Sequence, residues 1–349
     1  MPNRSSFDLS IRYSATEDGG GAAAAEAAAA HRRSARNRLG VFFARYGVLI
    51  AFGVMLLTFT LLRPSTFPTL DNAKSILVAA APGMIVALGL TVALVMGDFD
   101  LSIGSMVGFA AGAAIALMVY HSVPWQLTIV LVLAMALGVG IVNGLLVPVF
   151  GGNSFIMTLG MATMLTGLEY AFTDQATVFQ GVPQGYVDLG AGSILGLSNQ
   201  VWIALAVALI LWVLLDATEI GRFMYAIGGN EEAARLSGIR TRLLRTVGFM
   251  IVAFAAAMVG ILTSAAGAGY TPNSGQYLLL PAYAGAFLGA ACFRPGEFNI
   301  PGTVVGVLFL GTIGTGLTLL NLQTYLINLV QGAILIIAVL LSTVAARRA

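Results

Sequence analysis

The sequence predicts an all-α protein, a polytopic bundle of membrane-spanning helices, and three observations predict it. Hydrophobic residues make up 58% of the 349 residues and charged residues only 9%; a soluble domain carries about 25% charged residues. A soluble chain of this size could not cover its own surface, and a mean hydropathy of +0.91 points to lipid as its solvent. From Tyr46 onward, apolar stretches alternate with short polar breaks, and about 20 apolar residues suffice to span the hydrocarbon. The 42 glycines agree with this reading, because small residues let membrane helices approach closely.

Taken in order, the spans fall near 46–62, 75–97, 101–120, 125–148, 154–172, 201–217, 245–266, 279–293, 302–320 and 324–344. The segment 279–293 is short and opens on Leu280-Pro281, so it reads either as a full crossing or as a half-helix. Only Asp98-Phe99-Asp100 separates the second span from the third, which requires an immediate reversal or a broken helix. The first 45 residues form a separate region: a polar, low-complexity tail with an alanine run and a basic end, expected to be disordered. It lacks the apolar core and cleavage site of a signal peptide. The remainder, 46–345, is a single transmembrane domain.

Charge placement predicts orientation. Fourteen of the 17 basic residues lie in the tail, in 218–245 and at Arg347 and Arg348. Cytoplasmic loops hold the excess of lysine and arginine, so both termini and 218–245 are expected in the cytoplasm. The loop 173–200, with Asp174 and Asp188 and no basic residue, is expected on the periplasmic side. Glu169 and Asp216 lie near span ends, where water is expected to reach them.

Several chemistries are disfavoured. The one cysteine, Cys292, excludes an internal disulfide and a thiolate metal cluster. His31 and His121 are far apart in sequence and read as loop histidines. The one lysine, Lys74, follows Ala73 rather than the glycine of a phosphate-binding loop, so ATP, if used, is hydrolysed by another chain. No nucleophile–base pair suggests an enzyme, and nothing suggests nucleic acid as a partner. Membrane lipid is the implied surroundings.

The segment 218–245 contains a short helix. Asn230 is a good N-cap, Glu231 and Glu232 face the positive end of the helix dipole, Ala233, Ala234 and Leu236 favour helix, and Gly238 suits a left-handed stop. A helix this short needs a surface to dock on. There is also a local repeat: Gly97–Gly108 resembles Gly296–Gly306 with one gap, each preceding an apolar helix. The ten-span count puts both copies at the cytoplasmic side, whereas inverted halves would put them on opposite sides; the sequence leaves this open. Asp98 and Asp100 stand where acidic groups are costly. Asp100 reads as a cap for span 101–120, with Ser102 in its first turn, or alternatively as a gate; the cap is preferred.

Gly221-Arg222 through Gly238-Ile239 resembles the cytoplasmic coupling region of the ribose/xylose/arabinose-type permeases of ABC importers. Gly97-Asp98-Phe99-Asp100-Leu101-Ser102-Ile103-Gly104 is similar to that family's Gly-x-Asp-Leu-Ser-x-Gly, and Asn153-Ser154-Phe155-Ile156-Met157-Thr158-Leu159-Gly160 to its Pro-x-Phe-x-x-Thr-Leu-Gly. The resemblance covers roughly 46–345. It implies a multi-pass permease in the bacterial inner membrane that moves a monosaccharide or related polyol, paired with a second copy of itself or a close paralogue. It also implies a separate cytoplasmic ATPase holding ATP and Mg, with no cofactor bound by this chain, and a periplasmic sugar-binding protein. ATPase coupling is expected at Gly228, Gly229, Asn230, Glu231, Glu232, Ala233, Ala234, Arg235, Leu236, Ser237 and Gly238, with Ala233, Ala234 and Leu236 as the docking contacts. Pathway or gate candidates are Asp98, Asp100, Ser102, Asn153, Ser154 and Phe155. The sequence departs from the family's Leu-Gly-Gly-Thr-Ser at Leu288–Cys292, so the resemblance does not name the sugar. A secondary transporter or channel for a small polar solute is the alternative; it would need ionisable groups at mid-membrane, and these are scarce. A non-transporting scaffold would need neither the docking helix nor interrupted spans.

Overall fold

The computed structural model describes residues 46–346. The 1–45 tail, with His31, and Arg347 and Arg348 lie outside the described residues. The helices are α1 (Tyr46–Leu62), α2 (Leu70–Val95), α3 (Ile103–Val119), α4 (Trp125–Leu146), α5 (Ser154–Thr173), α6 (Gln184–Ala191), α7 (Asn199–Trp212), α8 (Glu219–Gly229), α9 (Glu231–Leu236), α10 (Thr241–Ala266), α11 (Gln276–Gly289), α12 (Ile300–Leu319) and α13 (Thr324–Ala346). A π-helical turn, Val213–Ala217, continues α7. A two-stranded antiparallel hairpin, β1 (Ser193–Ile194) and β2 (Leu197–Ser198), is the described residues' only named sheet. Each of the ten predicted apolar segments falls on a helix. Six of these, α2, α4, α5, α7 with its π turn, α10 and α12, are long and apolar enough to cross a membrane.

Local chemistry sets the ends. Thr69 accepts from the Asn72 amide to start α2, Asn153 from Ile156 to start α5, and Asn299 from Gly302 to start α12. These side chains satisfy amides that a helix leaves without partners. Gly97, at φ +82°, turns the chain out of α2, a conformation open to glycine without a Cβ clash.

The centre of the bundle is α10, which packs on both α2 and α3 through small residues. A Cβ on Gly260 of α10 would overlap the Val107 carbonyl of α3, and one on Gly140 of α4 would lie 2.5 Å from Met250 Cα of α10. Thr91 of α2 and Thr303 of α12 share a buried hydrogen bond of 2.8 Å. Lipid gives helices no hydrophobic reason to associate, so such close packing and buried hydrogen bonds hold them together.

Both copies of the local repeat lie at one end of the bundle, the end carrying 218–245. Arg245 of α10 pairs with Asp98 in the first copy. Arg294 pairs with Asp216 beside the second, and the Tyr225 hydroxyl of α8 donates to the Phe298 carbonyl. Thus α3 and α12 leave the same end, and the repeat is parallel rather than inverted.

Other segments differ from expectation. The loop 173–200 holds α6, whose Tyr186 hydroxyl bonds Ser264 of α10 at 2.7 Å, and the β hairpin. A helix, α8, precedes the expected short helix. The span expected at 279–293 is α11 at Gln276–Gly289: Pro281 lies inside the helix rather than at its start, and the chain turns away at Phe293, φ +60°.

Gly140 and Gly138 supply a controlled comparison, since a Cβ on Gly138 meets nothing within 4 Å. Gly140→Val is expected to destabilise the purified protein by about 1–3 kcal/mol through overpacking of α4 on α10. Gly138→Val is expected to leave the melting temperature in detergent near wild type.

Candidate functional site

The segment between α7 and α10 forms two short helices joined by a single residue. Thr218 accepts from the Gly221 amide to start α8, and Asn230 accepts from the Ala233 amide to start α9. Gly238, at φ +86°, ends the pair as expected. Gly228 seats α8 on the end of α2, where a Cβ would overlap the Val95 carbonyl. The faces of α9 differ from those expected. Ala234 is only 5% exposed and packs inward, while Leu236 is 80% exposed. Glu232, Ala233 and Arg235 are also exposed, so the outward face is 232, 233, 235 and 236.

The first repeat loop is a buried polar junction. Asp98, Asp100 and Ser102 are each at most 2% exposed. Asp98 receives a forked pair of hydrogen bonds from Arg245, 2.8 Å from Nε and 2.7 Å from Nη2. Asp100 Oδ1 accepts from the Ser102 amide at 2.8 Å and from its hydroxyl, and Asn143 of α4 donates to Ser102 Oγ. Helix α3 therefore starts at Ile103, two residues later than expected, and Asp100 closes the turn before it; Ser102 is the N-cap and makes no side-chain cap bond. The Asp100 amide donates to the Tyr283 hydroxyl of α11 at 2.9 Å, the Phe99 amide to Ser154 Oγ, and the Leu101 amide to Thr158 Oγ1. The two sequence motifs 97–104 and 153–160 thus meet in space. Of the remaining candidates, Asn153 is the exposed cap of α5 and Phe155 is 52% exposed.

A second polar cluster lies where α11 begins. The chain leaves α10 and passes to Gly275 without helix. Gly275 lies on α3, where a Cβ would collide with the Gly104 carbonyl and Val107. Glu169 of α5 organises this lead-in: its Oε1 accepts from the Tyr270 hydroxyl at 2.6 Å and from the Asn273 amide at 2.9 Å. Its Oε2 has no hydrogen-bond partner and rests against Gly108. Glu169 is 0% exposed, contrary to the expectation that water reaches it; the segment 268–275 covers it. Asp216 is likewise mostly covered, with a 16% exposed side chain paired to Arg294. Gln276 Nε2 donates to Ser105 Oγ at 2.9 Å and Thr166 Oγ1 to the same oxygen at 3.2 Å, while Tyr170 and Asn273 exchange side-chain bonds. Asn273, Gln276, Tyr277 and Thr163 are exposed on this face. Sequence reading missed Tyr270, Asn273 and Gln276; the polar run Thr271-Pro272-Asn273-Ser274-Gly275 before a short span was the available signal. Among the described residues, no group of three or more His, Cys, Asp or Glu could hold a metal ion.

A family model described as branched-chain amino acid transport system / permease component matches residues 72–339. The chain belongs to this permease family. It is similar to the ribose import permease of Escherichia coli (strain K12), 33% identical over 84% of this chain and 91% of that protein. It is 31% identical to the D-allose transport system permease of the same strain, over 86% of this chain and 92% of that protein. An L-arabinose ABC transporter permease of Azospirillum brasilense is 31% identical over 88% of this chain and 90% of its own length. No solved structure matches. The permease is a multi-pass membrane transport subunit and not an enzyme, and the alternative of a secondary transporter is not favoured.

In the permease, burial pushes the Asp100 carboxyl from 3.8 up to about 6, against the lowering effect of its bonds to Ser102 and Asn143. A carboxyl with a raised folded value binds its proton more tightly in the folded chain. Its contribution to stability is then present at low pH and is lost as pH rises from about 4 to 6. Asp100→Asn keeps an acceptor for the Ser102 amide and removes this loss. Its melting temperature relative to wild type is expected to rise across that pH range, with transport largely retained; a flat difference would contradict the assignment.

Proposed function

We propose that the permease forms the translocation pathway for a monosaccharide or related polyol in an ATP-driven importer, with the exposed polar face of α5 and the α11 lead-in lining that pathway. The single observation that carries this is the non-helical backbone at 268–275, bordered by exposed, uncharged hydrogen-bonding side chains. Broken backbone at membrane depth is tolerated only where protein buries it or it lines a water-filled cavity. Thr163, Tyr170, Asn273, Gln276 and Tyr277 offer hydroxyls, amides and aromatic rings, the groups that suit a neutral, hydroxyl-rich solute. The relatives named for ribose, D-allose and L-arabinose support a sugar. A second copy of the chain, or a close paralogue, covers the same face and encloses the path.

The end carrying 218–245 is cytoplasmic, on the strength of its arginines, and α13 returns both described ends of the chain to that side. The α6–hairpin end faces the periplasm and receives the sugar-binding protein. A separate ATPase, holding ATP and Mg, docks on α8 and α9. ATP binding and release there move the helices between inward- and outward-open states.

Gln276→Leu is expected to lower uptake of radiolabelled ribose, allose or arabinose, whichever the wild type transports, while leaving folded yield and ATPase association intact. Uptake at the wild-type level would exclude this face from the pathway. Leu236→Asp is expected to strip the ATPase subunit from the purified complex, because one exposed apolar residue can anchor a small interface. Retention of the subunit at wild-type level, with transport, would remove α9 as the docking helix; α8 would be the next candidate.

A further inference from the structure

One guanidinium joins the outward helix α9 to the interior. Arg245 lies in the second turn of α10. Along one edge it makes the forked bonds to Asp98 described above, and along the other its Nη1 lies 2.9 Å from both oxygens of Glu231 on α9. The side chain of Arg245 is 15% exposed, that of Asp98 is 3% exposed and that of Glu231 is 46% exposed, so the connection runs from the surface into the buried loop. Asp98 belongs to the loop whose backbone amides are held by Ser154 and Thr158 of α5 and by Tyr283 of α11. Those are the two helices that carry the exposed polar face. The contacts are directional and stiff. A planar guanidinium using both edges fixes the relative positions of the two carboxylates in a way an ammonium could not, and breaking a buried pair would strand the Asp98 charge.

We propose that Arg245 is the positioning residue that carries displacement of α9 to the pathway helices, through Glu231 on one side and the Asp98–Ser102 loop on the other. The proposal rests on the reading of α9 as the docking helix. Its physical content is a continuous chain of hydrogen bonds: Glu231, Arg245, Asp98, then the loop amides to Ser154, Thr158 and Tyr283. A docked ATPase that shifts α9 drags the Arg245 head, and the loop transfers that shift to α5 and α11 together.

The test uses the permease in complex with its ATPase subunit, in membranes, with Cys292→Ser and a reporter Thr163→Cys on the exposed face of α5. Maleimide labelling of the reporter is measured without nucleotide and with ATP plus vanadate. Glu231→Ala cuts the link at a half-exposed position and leaves the buried pair intact. The double variant Asp98→Asn with Arg245→Gln neutralises the pair without leaving a lone buried charge. Both are expected to keep the ATPase subunit bound, because the outward face of α9, 232, 233, 235 and 236, is unchanged in each. The nucleotide-dependent change in labelling is expected to fall by at least about fivefold, the lower end of a typical coupling between sites. Labelling that changes as in the parent, in either variant, overturns the proposal. Loss of the ATPase subunit in Glu231→Ala also overturns it, since Glu231 would then serve docking rather than transmission. No nucleotide dependence in the parent overturns it together with the pathway reading of α5. Failure of the docking reading is distinguished separately, by Leu236→Asp retaining its ATPase partner.

Discussion

Inside a bilayer there is no water to satisfy a backbone amide or carbonyl, so every interruption of a helix must be repaired by protein. Much of this structure follows from that constraint. Three of the helix breaks among the described residues, 97–102, 267–275 and 290–299, show the repair. At the first, Tyr283, Ser154 and Thr158 accept from the loop amides. At the second, the Glu169 carboxylate accepts from Asn273. At the third, Asn299 Nδ2 donates to the carbonyls of Cys292 and Glu297. The polar side chains of an otherwise apolar sequence are thus gathered at the breaks.

These repairs also hold α5 and α11 in register. Because α5 contributes Ser154 and Thr158 to one break and Glu169 to another, it is fastened at both ends of its length to segments that are not helical. Because α11 contributes Tyr283 to the first break and starts from the second, it is fastened in the same way. Rigid helices joined at discrete hydrogen-bonded junctions shift as bodies, which is the motion an alternating-access transporter requires.

The packing between the breaks is done by absence of side chains. Glycines at 104, 108 and 275 let the non-helical lead-in lie directly on α3, and Gly228 lets α8 sit on the end of α2. The first pair of repeat glycines, 104 and 108, therefore has a second use beyond helix packing: the Glu169 carboxylate takes the space a Cβ on Gly108 would fill, and the lead-in lies close against Gly104. This joins the 97–108 motif to the polar face physically.

The sequence by itself determined the class of the fold, the positions of the ten apolar segments, the capped helix at 231–236 and the family, because each rests on local properties: hydropathy, capping chemistry and a contiguous motif. It also placed Asp98, Asp100, Ser102 and Ser154 among the residues to watch. Only the tertiary structure decided which of them act together. That Ala234 faces inward and Leu236 outward depends on how α9 leans on α8 and α10. That Glu169 is sealed depends on a segment a hundred residues further along the chain folding over it. That Arg245 meets both Asp98 and Glu231 depends on three elements converging at one end of the bundle. Local sequence fixes propensity over a few residues, whereas burial and pairing of charge are set by long-range contacts whose partners no local pattern specifies.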